Sequence, residues 1–159
     1  MIVKEIRDED FTSYRKPSMV IGFPSCTFKC ERDCGRKGMC QNGSLATAPS
    51  IEIDAESIVD RYLQNHITQA IIFAGLEPMD SWNDMISLID EFRKYTEDDI
   101  VVYTGYTMDE ICQRTYWLGN KYQNIIFKVG RFIPDQPSHY DEVLGIRLAS
   151  KNQYAVRIS

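Results

Sequence analysis

Ser18-Met19-Val20-Ile21-Gly22-Phe23-Pro24 runs almost directly into Cys26-Thr27-Phe28-Lys29-Cys30-Glu31-Arg32-Asp33-Cys34-Gly35-Arg36-Lys37-Gly38-Met39-Cys40-Gln41-Asn42-Gly43. The first six residues read as a buried strand, and Pro24 ends it. The loop that follows packs four of the chain's five cysteines into a charged, glycine-bearing segment. Thiols this close together, on a stretch too polar to be core, bind metal, pair as disulfides or do redox work.

Compartment separates these options. Met1-Ile2-Val3-Lys4-Glu5-Ile6-Arg7-Asp8-Glu9-Asp10 is charged within its first residues and has no apolar stretch of signal-peptide length. No later run approaches a membrane span. The expectation is a cytoplasmic protein with no membrane partner, in a reducing compartment where clustered cysteines signify metal or redox catalysis. A chain of 159 residues fits one domain, residues 1–159, and 43% apolar composition builds a core without disulfide staples. The net charge of -5 argues against a general nucleic-acid surface.

Outward from the cysteine loop, short apolar runs alternate with helical periods. Ala55, Ile58, Val59, Tyr62 and Leu63 fall at helical spacing between Asp54, placed to cap, and His66. Ala70 to Ala74 is a continuous apolar strand closed by Gly75. Ser81 to Tyr95 is amphipathic, with Ser81 and Asp84 resembling a capping box, and Ile100 to Tyr103 is the next strand. Thr107 and Glu110 make a better capping box for a helix carrying Met108, Ile111 and Cys112; the runs Ile125 to Val129 and Leu144 to Ile158 follow, the second broken by the polar group Ser150-Lys151-Asn152-Gln153. Such alternation predicts a mostly parallel sheet with helices packed on it. Ligands in such sheets lie at the carboxyl ends of the strands. The cysteine loop, Gly75-Leu76-Glu77-Pro78 and Tyr103-Thr104-Gly105-Tyr106 each follow a strand and so converge on one edge.

The order of a cysteine loop, a Gly-x-Glu-Pro turn and small size resembles the radical S-adenosylmethionine (SAM) enzymes. More narrowly, Val101 to Thr107 with Glu110, then Gly130-Arg131-Phe132-Ile133-Pro134, then Ser150-Lys151-Asn152-Gln153 is similar to the anaerobic ribonucleotide reductase activating proteins. The resemblance implies an incomplete parallel β/α barrel of the TIM-like, radical SAM type, since eight units need about 250 residues. It implies a 4Fe-4S cluster on three thiolates with one iron open to chelate SAM, whose reductive cleavage produces a glycyl radical on a partner. The implied partners are the anaerobic ribonucleotide reductase large subunit or another glycyl-radical protein, and a flavodoxin or ferredoxin as reductant.

The family spacing is Cys-x3-Cys-x2-Cys. Here Cys26 and Cys30 keep the first interval, and the third ligand is Cys40, with Glu31 to Gly38 as an insertion, or alternatively Cys34. Met39-Cys40-Gln41-Asn42 looks like the family's apolar-Cys-x-Asn ending, whereas Asp33 would sit badly against a cluster. By the same resemblance Gly75, Glu77 and Pro78 face the SAM ammonium, with Leu76 standing where the family has a second glycine. Tyr103, Thr104 and Gly105 lie beside the cofactor, and Asn152 and Gln153 close its far side or form an exposed bulge. Two other readings stand beside this one: radical chemistry on another peptide or a small molecule, and a non-catalytic zinc-binding adaptor, which lacks the paired Cys-x2-Cys knuckles usual for zinc. Cys112 reads as a small core hydrophobe, His66 as a core-edge histidine and His139 as exposed.

Overall fold

Four continuous apolar runs become the four parallel strands of one sheet in a computed structural model that describes residues 1–159. In chain order the elements are β1 (Ile2–Val3), β2 (Glu5–Asp10), β3 (Ser18–Phe23), α1 (Lys29–Cys34), α2 (Gly43–Thr47), β4 (Ile51–Glu52), α3 (Ala55–Gln64) and β5 (Ala70–Gly75). A 3-10 turn, Pro78–Ser81, leads into α4 (Trp82–Phe92), followed by β6 (Asp99–Tyr103), α5 (Met108–Lys121), β7 (Ile125–Val129), β8 (His139–Asp141), β9 (Ile146–Leu148) and β10 (Tyr154–Arg157).

The central sheet runs β10-β7-β6-β5-β3-β2. β3, β5, β6 and β7 are parallel and adjacent in sequence order, while β2 and β10 flank them antiparallel. Crossovers that all step the same way, each right-handed, place their helices on one face. The packing agrees: Ile58, Val59, Tyr62, Met85, Leu88, Phe92, Ile111 and Leu118 all join one cluster with Ile21, Phe73, Val102 and Phe127. The opposite face is covered without helices. There Val20, Ile72, Val101 and Ile126 meet Tyr14 from the β2–β3 loop and Leu144 and Leu148 from the β8–β9 hairpin. Strands buried on both faces are continuously apolar, which is why these four were readable.

The caps explain where the helices begin. Asp54 accepts from Ser57 N at 2.7 Å to start α3, and Glu110 accepts from Thr107 N at 2.9 Å to start α5. Ser81 makes no capping bond; the 3-10 turn satisfies the entry to α4 instead, which corrects the box expected from Ser81 and Asp84. Two further expectations are corrected: Cys112 is exposed on α5, and His66 sits in an exposed turn beyond α3. The run Leu144 to Ile158 breaks at Ser150 to Gln153 as expected, and its two parts, β9 and β10, lie in different sheets.

At the amino-terminal end of β6, Asp99 gathers the base of the helix-free face. It accepts from Tyr14 Oη at 2.9 Å and Lys16 Nζ at 2.6 Å, and Arg157 Nη1 lies 2.9 Å away. Burial alone would push its carboxyl up, but the bonds from Lys16, Arg157 and Tyr14 prevail and hold it below the usual range. Its stabilisation is therefore present above the unfolded carboxylate pKa and is lost as pH falls through the folded one. Asp99→Ala strands the Tyr14 hydroxyl, which is only 3% exposed with its residue. Lys16 and Arg157 are 40% and 43% exposed and can rehydrate, so the cost is about 2 kcal/mol and not the 3–5 kcal/mol of a fully buried pair. A lower urea midpoint at unchanged slope is the expected result.

Candidate functional site

Pro24 turns the chain out of β3, and Phe28, in the left-handed region at φ 52°, turns it back into the short α1. The loop is held by its own polar groups. Cys26 Sγ accepts from Phe28 N at 3.1 Å, Glu31 Oε1 from Cys40 N at 3.2 Å, and Asp80 Oδ2 from Thr27 N at 2.9 Å. Asn42 Nδ2 donates to the Gly75 carbonyl at 2.8 Å and so fastens the far end of the loop to the end of β5.

Cys26, Cys30 and Cys40 line one cavity of about 360 Å³ at the carboxyl ends of the parallel strands, on the face the helices leave uncovered. Cys34 does not line it; its Sγ lies 3.6 Å from the Glu31 carbonyl. The segment around Cys34 is held by ion pairs, with Asp33 Oδ2 2.8 Å from Arg131 Nε and Arg36 Nη1 bonded to Asp135 at 2.8 Å. Burial pushes the Cys26 thiol up to about 11, helped by the charges of Glu77 and Asp80 and opposed by the Phe28 N–H. Burial and then Cys40 raise Cys30 as well. A metal would displace these protons, because thiolate is the ligand form. No three His, Cys, Asp or Glu side chains gather closely enough for a single ion. A four-iron cluster asks for something else, since each thiolate binds a different iron and the sulfurs stand apart.

The turn after β5 departs from what its sequence implied. Gly75 itself takes the positive φ, +90°, and Leu76 does not, so a leucine at that position costs the turn nothing. Glu77 is buried and lines the cavity. Its Oε1 accepts from Met79 N at 3.1 Å and its Oε2 from Gly105 N at 2.8 Å, so it braces the loop after β5 against the loop after β6. Burial outweighs those bonds and raises its carboxyl to about 7. Pro78 is buried at the start of the 3-10 turn and lies outside the cavity lining.

Tyr103, Thr104 and Gly105 all line the cavity. The Tyr103 hydroxyl donates to the Ser13 carbonyl, and Thr104 Oγ1 accepts from Tyr106 N at 3.0 Å. Asn152 and Gln153 part company. Gln153 is buried in the lining and donates to the Gly130 carbonyl at 3.2 Å; Asn152 is exposed, outside the lining, and donates to the Arg131 carbonyl at 2.8 Å. His139, expected in an exposed loop, begins β8 half-buried, with Nε2 2.7 Å from the Gln153 carbonyl.

Sequence reading missed Lys128. It lies at the carboxyl end of β7 and in the cavity lining, only 9% exposed, with Nζ 3.4 Å from the Gly130 carbonyl. Burial lowers its ammonium to about 8, against the pull of Glu77. The signal was available: it is the one charge in the run Ile125-Ile126-Phe127-Lys128-Val129, and a lysine in a fully buried strand needs a reason. Nearby, Arg131 grips Glu110 through both terminal nitrogens, at 2.9 and 2.7 Å, and that bond holds the Glu110 carboxyl down at about 2.

The site is thus a mixed, largely apolar cavity with three thiols, one buried acid and one buried ammonium at the mouth of a parallel sheet. A comparison with family models finds the 4Fe-4S single cluster domain over residues 18–153, from the first parallel strand to Gln153 in the cavity wall. The match spans most of the chain, and the protein belongs to that family: it is an iron–sulfur protein of the 4Fe-4S type. Neither the curated proteins nor the solved structures contain a match. No helix is long and apolar enough to cross a membrane.

Proposed function

We propose that the chain is a radical SAM enzyme of the glycyl-radical activating kind, acting on an anaerobic ribonucleotide reductase large subunit or another glycyl-radical protein. The observation that carries this reading is the meeting of Cys26, Cys30 and Cys40 with Glu77 and Lys128 in one cavity. Three thiolates leave one iron of a 4Fe-4S cluster without a protein ligand, and the position is open to an amino acid's amino and carboxylate groups. The cavity offers each of those groups a buried partner, Glu77 for the ammonium and Lys128 for the carboxylate; burial disfavours the charge on each, and a bound opposite charge would restore it. With a cluster on Cys26, Cys30 and Cys40 and SAM bound, one electron from a flavodoxin or ferredoxin would break a C–S bond of SAM, releasing methionine and supplying the hydrogen-abstracting chemistry.

The residues of the chain do the positioning. Asn42 and Glu77 tie three strand-end loops into one rim, and Gly105 allows close approach, with space for a Cβ ending 3.6 Å from Glu77 Oε2. Gln153 forms part of the wall, fixed by its bond to the Gly130 carbonyl. The sequential sheet with helices on one face is, in this reading, an open section of a β/α barrel whose interior is the cavity side. Anaerobic mixing of reconstituted protein, SAM, reductant and the cognate reductase large subunit should yield a glycyl radical signal. Cleavage of SAM with no such signal would move the substrate to another peptide or a small molecule; no cleavage under any reducing condition would leave a non-catalytic metal protein.

A further inference from the structure

β9 presents its edge to the cavity. Ile146, Arg147, Leu148 and Ala149 all line it. Side chains of successive strand residues point to opposite faces, and here Leu148 is buried in the second core while Arg147 is exposed, so what the three residues of β9 share toward the cavity is main chain. β9 pairs only with β8, and its other edge has no strand partner.

Charge at this edge points the same way. The chain carries -5 overall, yet five basic residues, Arg7, Lys29, Lys128, Arg131 and Arg147, line the cavity against two acidic ones, Glu5 and Glu77. Arg7 pairs with Glu5 and Asp10, and Lys29 and Arg131 pair with Glu110. Lys128 is buried. Arg147 alone is exposed with no carboxylate; its Nη2 donates at 3.1 Å to the Ser138 carbonyl and hydroxyl, and its remaining N–H groups point to no protein acceptor.

We infer that the free edge of β9 binds an extended peptide by strand addition, with Arg147 pairing an acidic side chain of that peptide at the cavity mouth. An unpaired strand edge offers alternating N–H and C=O groups, and an extended peptide answers them in the same two-residue repeat, which a nucleotide or other small anion does not. The inference rests on the proposed function in one respect: the peptide is taken to be the segment of the partner protein that receives the radical.

The test uses the full chain, loaded with cluster and left unreduced, titrated by fluorescence anisotropy with labelled threonine- and valine-rich octapeptides around one glycine. Each carries a single aspartate, asparagine or lysine, placed at each position in turn. At the best position the aspartate peptide should bind roughly tenfold tighter than its asparagine twin, the size of a hydrogen bond to a charged group. Arg147→Gln should erase that preference and Arg147→Glu should turn it toward the lysine peptide. Methylating alternate peptide amides should weaken binding at one parity only, as a single hydrogen-bonded edge demands. Absence of binding, equal affinity for the three peptides, indifference to Arg147→Gln, or parity-independent methylation effects would overturn the inference. Because binding is read without turnover, a protein that obeys these rules but forms no 5'-deoxyadenosine loses the radical reading and keeps the β9 site. One that forms it and ignores the peptides loses only this inference.

Discussion

Cys40→Ala should leave anaerobically reconstituted protein with iron and sulfide near background, whereas Cys34→Ala should retain a full cluster. The two cysteines lie six positions apart on one loop, so sequence distance does not separate them; placement does. Cys40 lines the cavity beside Cys30, and its backbone is fixed by the bond from its N–H to Glu31 and by the Asn42 tie to Gly75 two residues on. Cys34 lies outside the lining, on a segment drawn toward Arg131 and Asp135 by ion pairs. Cys34 follows Cys30 by one turn of α1, so the two share a helix face; what separates them is that only Cys30 lines the cavity, while Asp33 and Arg36 beside Cys34 are held in ion pairs. Metal analysis of the two variants decides the matter, and loss of iron from Cys34→Ala with retention in Cys40→Ala would reverse the assignment.

Gly75→Ala should destabilise the protein by about 2–6 kcal/mol and lower cluster occupancy with it. Two costs coincide at this position. The backbone stands at φ +90°, where a Cβ is strained by about 1–3 kcal/mol. The added methyl would also come within 2.7 Å of Gly22 Cα and Phe23 N, main-chain atoms of a central strand that cannot turn aside, and such overpacking costs a further 1–3 kcal/mol. Because the Gly75 carbonyl holds Asn42, any shift that relieves the clash loosens the end of the cysteine loop. Urea denaturation and iron content measured on the same preparation test the coupling; a variant with wild-type midpoint and full iron would show that the turn is more yielding than its geometry indicates.

What could be read from the sequence, and what could not, follows from how each feature is encoded. β3, β5, β6 and β7 are buried on both faces and write themselves as apolar runs, interrupted within β7 by Lys128 alone. β2, Glu5-Ile6-Arg7-Asp8-Glu9-Asp10, has one apolar residue and is a strand because its main chain pairs with β3, where Gly22 leaves a would-be Cβ only 3.0 Å from Glu5 Cβ. No side-chain periodicity records such a strand. The convergence of three strand-end loops was legible because punctuation residues mark each loop. Glu77 was recognised, but its bonds to Met79 and Gly105, which make it a brace between loops, depend on a neighbour 28 residues away. Cys112 misled because helical spacing alone put it on the apolar stripe; α5 buries Ile111, Thr115 and Leu118 and turns Cys112 outward. Lys128 was hidden by its surroundings, a polar group read as part of an apolar run.

The most direct test is the electron paramagnetic resonance spectrum of the anaerobically reconstituted, reduced protein with and without SAM, with 5'-deoxyadenosine assayed in the same tube. A reduced 4Fe-4S signal that changes when SAM is added, accompanied by 5'-deoxyadenosine, is the predicted result. A cluster whose spectrum is indifferent to SAM, with no 5'-deoxyadenosine formed, would contradict it and leave the cavity with an iron–sulfur centre that does no radical chemistry.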